Sequence, residues 1–167
     1  MMATKKDKKA EDAEVQGKNQ GGAPDAPAKP PPTVASVLGE ITWLMSMTPS
    51  HRFFFLSDLE WLVMPAVTKQ QFRIYRDENG RPMGLVLWAK LDDDAEARIK
   101  SGASRIRPQD WDSGPHHWII DLLDLSGGQR AQAIIDDMKA NVFGDTPFKY
   151  HRVGPDGKRE VVESPAA

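Results

Sequence analysis

The sequence predicts an α/β domain with a mixed, mostly antiparallel sheet flanked by helices and preceded by a disordered tail. Three observations carry that prediction: apolar residues at helical spacing from Val34 onward, short alternating or wholly apolar runs separated by turn residues, and a late strand–loop–helix unit. With 167 residues, 13 Gly and 13 Pro, the chain suffices for one core of ordinary size.

Residues 1–33 are Lys, Glu, Asp, Ala, Gly, Gln and Pro with almost nothing bulky and apolar, too little to offset the entropy of ordering, so they read as a disordered tail. The lysines at its start have no apolar run behind them, which argues against a secretory signal or membrane anchor and makes a cytoplasmic address the default. Its Lys5, Lys6, Lys8 and Lys9 are most simply solvated charges.

The folded remainder begins with Val34, Val37, Leu38, Ile41, Leu44 and Met45, an amphipathic helix expected to stop near Met47 because Pro49 disfavours helical geometry at Thr48. Ser57 and Glu60 form a capping-box pattern for a second helix, Leu59 to Met64, expected to close at Pro65. Between the two lies an exposed elbow, Thr48-Pro-Ser-His51-Arg52. Gln71–Arg76 and Met83–Trp88, joined by Asp77-Glu-Asn-Gly80, predict a β-hairpin. A helix from Asp93 to Lys100 follows, then a buried strand, Trp118–Leu123, apolar except for Asp121. Ser126-Gly-Gly-Gln-Arg130 opens another helix, and two strands around Gly154-Pro-Asp-Gly157 complete the domain.

Composition excludes several chemistries. With no cysteine there is no disulfide framework, thiolate nucleophile or cysteine-held metal. A net charge of −2, with 16 basic against 19 acidic residues after the tail, gives no cationic surplus for nucleic acid.

Asp121 is the most informative position, because burying a carboxylate within an apolar strand costs several kcal/mol unless it is paired. Alternation alone explains it equally well as the wet face of the strand. His51 is the eligible partner, being the histidine in the Pro-containing elbow, although a lone histidine is ordinarily a surface or capping residue. Gly127, Gly128, Gln129 and Arg130 could receive an anion at a helix start, such as the phosphate of phosphopantetheine or coenzyme A; two glycines there are more often only a connection. The five tryptophans and Phe53-Phe54-Phe55 are mainly core candidates, some of which could line an acyl-chain groove.

Several segments in fixed order, from about Gly39 to Tyr150, resemble the RTX toxin-activating lysine acyltransferase family. They are Gly39-Glu-Ile-Thr-Trp43-Leu44, Thr48-Pro-Ser-His51-Arg52, Met64-Pro-Ala-Val67, Arg81-Pro-Met-Gly84, Leu87-Trp-Ala-Lys-Leu91, Asp110-Trp-Asp-Ser-Gly114 and Trp118-Ile-Ile-Asp121. The resemblance implies a GNAT-like domain over residues 34–167, with His51 and Asp121 as the catalytic pair. It implies transfer of a fatty acyl group from acyl carrier protein to an internal lysine of an RTX-type protoxin or related secreted protein. The acyl-phosphopantetheine of the carrier would be a co-substrate, with no tightly bound cofactor, and the family's tendency to dimerise leaves a homodimer open.

Two departures stand out. Leu123-Asp-Leu-Ser-Gly-Gly128 replaces the family's Ala-Pro-Phe-Gly, and Thr48 stands where many members have Ser. A lysine with a pKa of about 10.4 must lose a proton to attack a thioester, and a histidine with a pKa of about 6.5 can take it. The expectation is that His51 is the base, Asp121 its orienting partner, and transfer direct; acyl carried on His51 or Thr48 is the covalent alternative. Other readings are an acetyl-coenzyme A N-acetyltransferase and a non-catalytic binding module.

Overall fold

The structure, a computed structural model, describes residues 31–165. Nearly all of the expected tail therefore lies outside the described residues. Thr33, placed in that tail, instead caps α1 (Val34–Met47), its hydroxyl accepting from the Ser36 amide while Ser36 accepts from the Thr33 amide.

Apart from a 3-10 turn at Pro108–Trp111 and a π-helical turn at Lys139–Phe143, the remaining elements run α2 (Asp58–Thr68), β1 (Phe72–Arg76), β2 (Pro82–Leu91), α3 (Asp93–Lys100), β3 (His116–Asp124), α4 (Ala131–Met138), β4 (Phe148–Val153) and β5 (Arg159–Ser164). The strands form one sheet in the order β1-β2-β3-β4-β5, antiparallel throughout except for the parallel β3–β4 pair. Leu85, Leu87, Ala89 and Leu91 of β2 pack with α1, α2 and α3. On the opposite face Val86 and Ile119 meet Ile134 and Met138 of α4.

Two expectations for α2 are corrected. Pro65 does not close this helix but lies inside it. A proline has no amide to donate one turn back, which orphans the Trp61 carbonyl; the indole N–H of the fully buried Trp111 fills that vacancy at 3.0 Å. Nor does the Ser57 side chain cap the helix. Asp58 organises its start, accepting from the Phe55 amide at 2.8 Å and from Trp61 Nε1 at 3.0 Å.

The β3–β4 pairing is short, spanning only His117–Ile119 against Phe148–Tyr150. Beyond it β3 stays paired with β2 as far as Asp124 while β4 continues beside β5. The two strands thus part, and a gap opens in the sheet one residue before Asp121.

Candidate active site

The elbow is held by its own backbone. The Thr48 carbonyl accepts from the amides of both His51 and Arg52 at 3.0 Å, and the Phe54 amide donates to the His51 carbonyl at 2.9 Å. Asp58 secures the outgoing end and also receives Arg105 at 3.2 Å. The Trp61 indole and then the Phe55 amide hold the Asp58 carboxyl below its usual range, outweighing burial, with Arg105 helping. Although the elbow was expected to be exposed, the His51 side chain is only 11% accessible and its ring rests 4.8 Å from that of Phe54. Around it the elbow is exposed as expected at Pro49, Ser50 and Arg52, and the exposure continues through Phe53, Phe55 and Leu56.

Asp121 reaches this elbow because of a bulge. Trp88 pairs with Ile119 but Leu87 pairs with Asp121, so Ile120 is an extra residue in β3. Strict alternation from Trp118 would send Asp121 to the α4 side. The inserted residue reverses the phase, so that Asp121 lies opposite Leu87 on the face covered by α1 and α2. Leu123 opposite Leu85 follows the same phase.

His51 Nε2 lies 2.7 Å from Asp121 Oδ2, and the Asp121 side chain is 17% accessible. An ionised carboxylate can only accept, so Nε2 carries the hydrogen and Nδ1 presents a lone pair. Ser50 Oγ is 2.8 Å from Nδ1 and, with the neutral ring in that tautomer, donates to it. Thr48, the secondary candidate, turns its hydroxyl back to the Leu44 carbonyl at 2.8 Å, the ordinary use of a threonine at a helix end. Ser50 was not singled out from the sequence; its signal was a hydroxyl side chain directly preceding the histidine in a tight turn.

The parted strands border a cavity of about 520 Å³, with Asp121, Ile120 and Leu122 on one wall and Tyr150, His151 and Arg152 on the other. Burial, with Arg159 nearby, pushes the His151 imidazole below its ordinary range and favours its neutral form. The site therefore joins a hydrogen-bonded hydroxyl, imidazole and carboxylate to a partly apolar slot that opens through the sheet.

The RTX toxin acyltransferase family model matches residues 31–165. The chain belongs to this family. Its relatives include the lysine-acyltransferase RtxC of Vibrio cholerae, 30% identical over 66% of this chain and 71% of the relative. The RTX-I toxin-activating lysine-acyltransferase ApxIC of Actinobacillus pleuropneumoniae is 32% identical over 73% of this chain and 69% of its own. The protein-lysine myristoyltransferase RtxC of Kingella kingae is 29% identical over 74% and 73%. Among solved structures, an HPA2-type histone acetyltransferase and related acetyltransferase from Corynebacterium glutamicum aligns with a TM-score of 0.47 at 16% identity, covering 82% of this chain and 94% of that one.

Within this acyltransferase the segment Asp110–Gly114 is structural support for the site. Trp111 repairs α2, and Asp110 is buried between Arg98 and Arg107 at 2.8 and 2.9 Å. Gly114 lies so close to β2 that a Cβ there would stand 2.5 Å from Asp92 Cα and 2.6 Å from the Leu91 carbonyl oxygen. The segment can deliver the chain into β3 only with glycine at that point.

The residues Gly127–Arg130 are not gathered into one anion cradle. The amides of Ser126 and Arg130 both donate at 2.9 Å to the Asp124 carboxylate, so the chain's own anion already holds the Arg130 donor expected for a phosphate. Burial opposes ionisation of Asp124, but Ser126 and the Arg130 and Gly128 amides outweigh it and lower its pKa. Gly128 borders the cavity beside Asp121, whereas Arg130 borders a separate hollow of about 280 Å³ with Tyr75 and Asp137. No helix among the described residues is long and apolar enough to cross a membrane.

Proposed function

We propose that this acyltransferase moves a fatty acyl group from the phosphopantetheine of acyl carrier protein to an internal lysine of an RTX-type protoxin or related secreted protein. His51 is the general base. The observation that carries the reading is the His51–Asp121 hydrogen bond of 2.7 Å, which leaves Nδ1 as the proton-accepting nitrogen. The slot between β3 and β4 supports the donor assignment, since a thioester arm entering it would pass Asp121 and find cationic Arg152 and Arg159 beside it. The relatives' names as lysine acyltransferases support the acceptor. A carrier-protein donor also makes the cytoplasm the proposed compartment.

Base catalysis of this kind contributes roughly 100- to 10,000-fold. The imidazole removes the proton as the amine attacks the carbonyl, while Asp121 steadies the imidazolium that forms. Co-expression with an RTX-type protoxin, followed by intact-mass analysis, should show one or more acyl additions on lysine, absent with His51→Ala. Parallel reactions with acyl carrier protein and coenzyme A thioesters should favour the carrier; preference for acetyl-coenzyme A would instead support an N-acetyltransferase. Unmodified protoxin in the presence of the native enzyme and a charged carrier would overturn the reading.

A further inference from the structure

Direct removal of a lysine proton requires access to His51 Nδ1, yet that nitrogen is already engaged by the Ser50 hydroxyl at 2.8 Å. The opposite ring nitrogen meets Asp121 at 2.7 Å. Hydroxyl, imidazole and carboxylate are thus linked in the order that activates a nucleophilic serine. The ring nitrogens are exchanged relative to the usual serine triad, with a simple cause: Ser50 precedes His51 in the chain and reaches the nearer nitrogen.

We propose that Ser50 is the acyl-carrying nucleophile of this enzyme, so that transfer proceeds through an ester on Ser50 Oγ. The inference deepens the acyltransferase reading and rests on it. Ser50 is exposed, as an atom that must meet an incoming thioester should be, while the histidine and aspartate behind it are largely enclosed. Of the other nucleophiles considered for a covalent route, cysteine is absent, the Thr48 hydroxyl is committed to the Leu44 carbonyl, and the His51 ring has both nitrogens engaged, by Ser50 Oγ and by Asp121.

In the first half-reaction Ser50 Oγ bonds to the thioester carbonyl carbon as its proton passes to His51 Nδ1. The carbon–sulfur bond then breaks, and the departing sulfur takes that proton and leaves as a thiol. In the second half-reaction the acceptor lysine, having lost its ammonium proton to solvent, bonds to the ester carbonyl carbon and passes a further proton to Nδ1. The carbon–oxygen bond breaks, Ser50 Oγ recovers the proton, and the amide leaves.

The test uses the full chain with acyl carrier protein charged in turn with myristate and palmitate. Rapid acid quenching without acceptor, followed by peptide mass mapping, should find one acyl group on the Ser50 peptide. Alkaline hydroxylamine should remove it, as it does an ester and not an amide. Ser50→Ala should carry no such adduct and transfer to protoxin roughly 100-fold or more slowly. Ser50→Cys should carry the acyl group as a thioester, now released by neutral hydroxylamine. Absence of acyl on the Ser50 peptide from native enzyme that transfers normally overturns the proposal, as does a Ser50→Ala variant working at the native rate. Both results leave the proposed function standing. Native enzyme that never acylates the protoxin, or a fully active His51→Ala variant, instead removes the reading on which the proposal rests.

Discussion

An imidazole takes a proton only at the nitrogen that lacks one, so Asp121 contributes the choice of nitrogen as much as the charge. Asp121→Asn keeps the shape but offers an amide that can donate as well as accept, allowing the ring to hold the wrong tautomer. The expected result is a 100- to 10,000-fold fall in kcat with an unchanged circular dichroism spectrum. A kcat within tenfold of native would show that the pair has no catalytic part. At this scale the sequence was legible in an uneven way. The cost of burying a carboxylate pointed to Asp121, and the ordered resemblance pointed to His51. Ser50 is not legible in the sequence because its role depends on the turn of the elbow, which places its hydroxyl on Nδ1 while Thr48 is drawn into the end of α1.

Helix and strand boundaries followed periodicity and turn chemistry well, including the β1–β2 hairpin, α3 and the β4–β5 pair. The failures arose where distant residues altered a local rule. Nothing in Trp118–Leu123 announces a bulge, because Ile120 is as apolar as its neighbours, yet the bulge decides which face receives Asp121. Likewise Pro65 ends a helix by local rules, and only Trp111, 50 residues beyond the Trp61 carbonyl it serves, makes that interior position tolerable. Trp111→Phe should orphan the buried Trp61 carbonyl and cost about 1–3 kcal/mol, lowering Tm by roughly 3–10 °C. Pro65→Ala restores a backbone N–H at the position that would donate to the same carbonyl. Introduced alongside Trp111→Phe, it should recover part of the loss, so the two effects are non-additive by at least about 0.5 kcal/mol in a double-mutant cycle. Strict additivity in urea denaturation would show that the indole bond does not compensate for the proline.

The whole molecule depends on joining the helices on one face to the strands on both sides of the short parallel pair, and Glu96 of α3 provides much of that connection. Its nearly buried carboxylate accepts from Trp118 Nε1 of β3 at 2.9 Å, from Lys149 of β4 at 2.7 Å and from Lys100 at 2.9 Å. Burial by itself would raise the carboxyl, but Lys149, Lys100 and Trp118 outweigh it and bring it to about 2, against an ordinary 4.5. A carboxyl depressed on folding stabilises the native state above its unfolded pKa. That contribution is full above about 4.5, declines as pH falls and is lost near 2. Glu96→Gln removes the charge and leaves Lys149 without its anion, so it should cost about 2 kcal/mol near pH 7. The gap between native and variant in urea denaturation should narrow at pH 3 and vanish toward pH 2. Because Asp110, Asp124 and Asp137 are also lowered, the difference between the two proteins, and not either curve alone, isolates Glu96. An equal gap at pH 7 and pH 3 would mean that packing, and not ionisation, sets the contribution of this position. A gap that closes would place the Glu96 share of the fold's acid sensitivity at the junction from which β3 and β4 diverge toward Asp121.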